Sequence, residues 1–151
     1  METVEFVDLD RFMGEWYVIA LIPNFIERSA VNGIESYKRI SENEISINYT
    51  FSQNELGKDV KRLTAKAYIF NPETNAEWRV RFFWPVKFPY LVINLAEDYS
   101  YTVIGVPNRK YVWIMARKAR MEESTYQEIL AGLKVIGYDI SRIVKMPQNW
   151  G

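Results

Sequence analysis

The chain has 151 residues, of which 48% are hydrophobic, 15% aromatic and 25% charged, and its 19 basic and 19 acidic side chains cancel. It contains neither cysteine nor histidine, which excludes disulfides, thiolate nucleophiles, Cys- or His-ligated zinc and the Ser-His-Asp triad. A neutral chain is a poor fit to nucleic-acid binding by phosphate neutralisation, and this length suits one domain, 1–151, with a sizeable core.

The longest apolar run, 16–22, is far shorter than the roughly 20 residues of a membrane-spanning helix. The acidic segment 1–10 lacks the apolar stretch of a signal peptide, so the chain reads as soluble as it stands. In chain order, β-rich runs occupy 16–22, 31–40, 44–52, 62–70, 77–84, 90–95, 100–106 and 111–117. Polar, Gly- or Pro-containing turns separate them. Short turns require antiparallel neighbours, so the pattern predicts an up-and-down barrel or a meandering sandwich. Between the first two runs, Asn24 is placed to cap a single helical turn. In the fifth run, Trp78, Val80 and Phe82 share one face, and Arg79 and Arg81 the other. Arg79, Arg81 and Lys87 form a basic outer stripe, read as a solvated face. The last run is apolar on both faces and needs an outer cover. An amphipathic helix over 122–136 supplies it, with Tyr126, Ile129, Leu130, Leu133 and Ile136 at helical spacing and Gly137 as its cap. The run 143–146 adds a short edge strand.

Three segments carry a resemblance. Gly14-Glu15-Trp16 opens the first strand, Glu97-Asp98-Tyr99 fills the sixth turn and Arg117 ends the eighth strand. The chain thereby resembles the lipocalin family, whose hallmarks are G-x-W, T-D-Y and a final Arg at those places. The stretches at 16–20, 25–28, 82–85, 98–101 and 111–117 are similar to the bacterial outer-membrane lipocalins and apolipoprotein D in particular. Glu97 replaces the motif threonine, and the lipobox cysteine of bacterial members is absent. The resemblance implies an all-β fold: an eight-stranded antiparallel up-and-down barrel, about 14–117, with a C-terminal helix packed on its outside. Gly14, Trp16, Asp98, Tyr99 and Arg117 are then structural. Trp16 plugs one end, and Arg117 lies over its ring.

Strand parity, set by pointing Trp16 and Arg117 inward, predicts the cavity wall. Val18, Ala20 and Ile22 come from strand one, Glu35, Tyr37 and Arg39 from two, Ile47 and Tyr49 from three, and Ala65 and Ala67 from four. Strand five adds Val80, Phe82 and Trp84, six adds Tyr90, Val92 and Asn94, seven adds Tyr101 and Val103, and eight adds Trp113 and Met115. Glu35, Arg39 and Asn94 are the inward polar candidates for meeting a head group at the mouth. For each of them a one-residue slip would leave the side chain in water.

The leading expectation is a non-enzymatic protein for binding, storage or transport of small hydrophobic ligands, such as fatty acids, lysophospholipids or related lipids. No cofactor, metal or nucleic-acid partner is implied. One alternative is an enzyme acting on a lipophilic substrate, with Glu35 or a tyrosine as acid–base group beside Arg39. Another is a dimerising interaction module. A monomer or weak homodimer and peripheral membrane association stay open. The resemblance implies a periplasmic or outer-membrane setting, although the chain shows no signal peptide or lipobox cysteine.

Overall fold

Alternating side chains and short turns build a meander of antiparallel strands. The computed structural model describes residues 1–24, 26–53, 58–83 and 86–150, and at 82, 83 and 86 the backbone alone. After a one-turn helix α1 (Leu9–Phe12) come β1 (Gly14–Ile22), β2 (Val31–Arg39), β3 (Glu44–Ser52) and β4 (Val60–Ile69). Then follow β5 (Glu77–Phe83), β6 (Val86–Leu95), β7 (Tyr101–Gly105), β8 (Val112–Ala116), α2 (Glu123–Val135) and β9 (Val144–Lys145). The sheet runs β2 to β8 in sequence, then β1, and β1 pairs back with β2 to close an eight-stranded up-and-down barrel.

Closure involves only the first half of β1. Gly14 to Tyr17 pair with β2, whereas Ala20 and Leu21 pair with β9 on that same side. The C-terminal segment therefore fills the seam where β1 and β2 part. Met146 joins the inner core, its sulfur 3.1 Å from the Gly33 nitrogen, and Gln148 Nε2 donates to the carbonyls of Val18 and Gly33. Gly33 has a packing reason, because a Cβ there would lie 2.5 Å from Met146 Sδ.

The strands sort their apolar side chains into two cores. One fills the barrel; the other, built on Ile22, Val103, Val112 and Ile114, lies between barrel and α2 under Tyr126, Ile129 and Leu133. The doubly apolar β8 is thus covered as its sequence requires. Helix α2 ends at Gly137, with φ +99°, where Tyr138 N donates to Leu133 O and Arg109 Nε donates to Ile136 O at 2.7 Å.

The closed end uses all five motif residues. Arg117 lies 3.8 Å over the Trp16 ring, and its guanidinium donates to the carbonyls of Glu15, Arg11, Phe12 and Met13. Trp16 Nε1 donates to Phe12 O at 2.9 Å. Gly14 has φ +100°, and a Cβ on it would stand 3.4 Å from Arg117. Asp98 accepts from Ser100 N within the turn, while the Tyr99 hydroxyl accepts from Asp8 N at 2.8 Å. The helix α1, capped by Asp8, has no counterpart in the expectations from sequence.

Five expected wall positions face outward instead. A bulge between Val18 and Ala20 and another between Val92 and Asn94 shift the register. Each bulge inserts one residue and so inverts the facing of the positions beyond it in its own strand. Ala20 and Ile22 consequently join the outer core, and Leu21 turns inward. Val103 lies in the outer core, Tyr101 packs against it, and Asn94, paired with Val103, faces the same side. Ile104 takes the inward place in β7. Arg39 is corrected too: it bonds Asp10 Oδ1 at 3.3 Å and Glu42 O at 3.0 Å at the closed end, away from Glu35. On the outer wall, Arg79 pairs with Glu77 at 2.8 Å and covers Phe70.

Candidate functional site

The barrel interior brings together Val18, Glu35, Tyr37, Ile47, Tyr49, Ala67, Val80, Tyr90, Val92, Trp113 and Met115, all buried, with Ala65 partly buried against them. The expectation at Trp84, and that for the side chain of Phe82, lie outside the described residues. Rings connect the plug to the mouth. Trp16 meets Phe12 at 5.1 Å between centroids, Phe12 meets Trp78 edge-on at 5.5 Å, and Trp78 stacks on Tyr90 at 5.4 Å. Tyr90 in turn stacks on Trp113 at 6.1 Å, and Trp113 on Tyr111 at 6.3 Å. Offset stacks and edge contacts of this kind add about 0.5–1.5 kcal/mol each beyond area burial. The inner half of the column is a rigid floor, and the outer half forms flat walls.

Across the mouth lies the loop between β1 and β2. Asn24 Oδ1 accepts from the backbone nitrogens of Ile26 and Glu27, both at 2.9 Å, which forms the expected capped turn. The turn aims Glu27 inward. Its Oε2 accepts from Trp113 Nε1 at 3.0 Å, and its Oε1 accepts from Asn24 N at 3.4 Å. Glu27 is absent from the wall read out of the sequence. The turn signal was legible, but the direction of its acid depends on the far strand β8.

A second carboxyl lies deeper. Glu35 pairs across the sheet with Trp16 and Tyr49, both inward, and is itself 4% exposed. Its Oε2 has no hydrogen-bond partner. Burial pushes the Glu35 carboxyl up to about 8, and the negative charge of Glu27 adds to the rise. Burial also raises Glu27, against the opposing hydrogen bond from Trp113. The tyrosines around them are held well above the ordinary phenol range, chiefly by burial. Tyr37 and Tyr90 hydrogen-bond each other through their hydroxyls. Tyr49 Oη faces Glu27 without reaching hydrogen-bond geometry. Among the described residues Glu27 and Glu35 are the only buried charged side chains, so no buried lysine or arginine neutralises them.

Outside the barrel, a groove of about 750 Å³ runs between α2 and the wall, lined in part by Asn94, Val103, Ile129 and Gly132. It accounts for where the corrected positions Asn94 and Val103 lie. Among the described residues no cluster of acids has the makings of a metal site, and no helix is long and apolar enough to cross a membrane.

Known proteins are similar to this chain in sequence and fold. The chain is 33% identical over 159 residues to temperature-induced lipocalin-1 of Arabidopsis thaliana, covering 99% of this chain and 83% of that protein. It is 28% identical over 143 residues to the outer membrane lipoprotein Blc of Vibrio cholerae, covering 94% of this chain and 83% of that one. Among solved structures, insecticyanin of the tobacco hornworm Manduca sexta superposes with a TM-score of 0.76 at 18% identity, covering 99% of this chain and 85% of that chain. Lobster apocrustacyanin A1 superposes at 0.74 with 17% identity, covering 94% and 80%. These structural likenesses speak for the fold. The family described as lipocalin-like domain matches residues 7–148, and with the closed barrel, the Trp16–Arg117 plug and the outer helix in place, the chain belongs to that family.

Proposed function

We propose that this protein is a non-enzymatic carrier that takes up small hydrophobic ligands, among them fatty acids, lysophospholipids and related lipids, into the mouth half of its barrel. The observation that carries this reading is the stacked wall of Tyr90, Trp113 and Tyr111, which continues the floor outward beneath a turn that Trp113 and Gln53 tie down through Glu27 and the Ile26 carbonyl. Flat rings and aliphatic side chains offer an acyl chain a dry surface without demanding directional contacts. Burying ten methylenes contributes about 8 kcal/mol gross at roughly 0.8 per CH₂, ahead of the costs of association. Micromolar binding needs about 8 kcal/mol net, so longer chains and the ring contacts have to offset the association cost. Entry runs past the 23–30 loop, whose polar tie to β8 is Glu27. Similarity to outer membrane lipoproteins supports work beside a membrane.

Displacement of the neutral dye Nile red, combined with quenching of tryptophan fluorescence, tests the carrier reading. Medium-chain lipids below their micelle concentrations should displace the dye and raise the melting temperature. Failure of every lipid class on both readouts would sink it.

A further inference from the structure

The carrier reading leaves the polar end of the ligand unspecified, and the interior chemistry narrows it. Among the described residues, the buried polar side chains facing the upper barrel are acids and phenols: Glu27, Glu35, Tyr37, Tyr49 and Tyr90. None of the 19 lysines and arginines is buried. Arg28 and Lys38, next in sequence to members of this group, are exposed, and Arg39 is tied to Asp10 at the closed end. Two buried polar atoms on paired positions of adjacent strands, Glu35 Oε2 and Tyr49 Oη, have no hydrogen-bond partner, whereas Glu27 already accepts two hydrogen bonds. Buried polar atoms left unmatched are rare in folded proteins and call for an explanation such as a ligand that completes them.

We infer that Glu35 and Tyr49 form the polar end of a site for a hydrophobic ligand whose head group donates hydrogen bonds, an ammonium foremost, rather than for a carboxylate anion. This rests on the carrier reading. A fatty-acid carboxylate at the same depth can accept from protonated Glu35 and the Tyr49 hydroxyl, but its charge would sit in a dry site beside a second acid, Glu27, with no cation to pair it. An alkylammonium brings three donors and a charge of the right sign. It would satisfy Glu35 Oε2 and Tyr49 Oη together, while its chain follows the rings toward the mouth. An uncharged alcohol, with one donor and no charge, falls between the two.

The inference is tested by Nile red displacement at neutral pH with dodecylamine, dodecanol and dodecanoate, all below their micelle concentrations. The expected order is amine, then alcohol, then carboxylate, with the amine at least tenfold more potent than the carboxylate. Glu35→Gln should erase most of that ratio. Tyr49→Phe, which keeps the ring and removes only the hydroxyl, should reduce the amine preference in the same direction and serves if the Gln variant folds poorly. Titration calorimetry in buffers of different ionisation enthalpy should show proton release when the amine binds, because the incoming cation favours ionised Glu35. Equal potency of amine and carboxylate, or a carboxylate preference, would overturn the head-group assignment and leave the carrier reading standing. Absence of displacement by all three, with no thermal shift, would remove both.

Discussion

Glu27 and Trp113 stand 86 residues apart in the chain, yet a 3.0 Å hydrogen bond from the indole nitrogen to the carboxyl oxygen joins them across the barrel mouth. One element is a turn and the other a core strand, so this bond helps hold Glu27 and its turn over the interior, together with the Gln53 side chain that donates to Ile26 O. Trp113→Phe keeps most of the ring contact with Tyr90 and removes the donor. A buried acceptor stripped of its partner costs about 1–3 kcal/mol. We expect a corresponding loss in urea denaturation and faster tryptic cleavage after the exposed Arg28. Glu27→Gln retains an acceptor and removes a buried charge, so it should be neutral or stabilising. If Trp113→Phe left both stability and cleavage at Arg28 unchanged, the bond would not be holding the loop.

Stability should rise on acidification. The folded Glu35 carboxyl sits at about 8 and the unfolded one near its ordinary 4.5, so between these pH values the native state holds a proton that the unfolded chain has lost. The stabilisation is complete below the unfolded value and is lost as pH rises through the folded one, with a slope of about 1.4 kcal/mol per pH unit for one proton. Glu27, also raised by burial, acts in the same direction. Urea midpoints measured from pH 8.5 to 5 should climb, and Glu35→Gln should flatten the climb. An identical pH profile in wild type and variant would refute the assignment to Glu35.

Arg117 satisfies four carbonyls near α1 and β1 while covering Trp16. Arg117→Ala should cost about 2–4 kcal/mol, combining lost charge-assisted hydrogen bonds with the lost ring contact. Arg117→Lys should recover less than half of this, because a point ammonium cannot reproduce the planar fork. Thermal and urea unfolding measure both. A fully stable Lys variant would show that charge alone suffices.

Gly33 and Met146 make a matched pair. Gly33→Ala places a methyl where the Met146 thioether lies and should destabilise by about 1–3 kcal/mol. Met146→Ala opens a cavity in the seam and should cost about 2–5 kcal/mol. Because the new methyl occupies part of that cavity, the double variant should be more stable than the sum of the two losses predicts. Strict additivity in a double-mutant cycle would contradict the contact.

Much of this fold was legible in one dimension. Period-two alternation with short turns determines antiparallel strands, the helical spacing of Tyr126, Ile129 and Leu133 determines the outer helix, and Gly14, Trp16 and Arg117 mark the plug. Parity also placed Glu35, Tyr37, Tyr49, Tyr90 and Trp113 inside, because alternation is a local property of each strand. Parity failed at Ala20, Ile22 and Asn94, since a bulge forms where paired strands must bend together and neither strand alone encodes it, and at Tyr101 and Val103, whose facing is set by their pairing with Ala116 and Ile114 of β8. The same limit hid Leu21 and Ile104 on the inner face, and the wedge of Met146 beside Gly33. Arg39 had the right parity and the wrong neighbour, because Asp10 reaches it from an unforeseen helix. The inward aim of Glu27 was likewise decided only in three dimensions, where Trp113 arrives from the other end of the chain. Local spacing thus determined the elements and most of their faces; tertiary closure decided which two acids meet in the barrel, because burial and partners exist only once distant strands have come together.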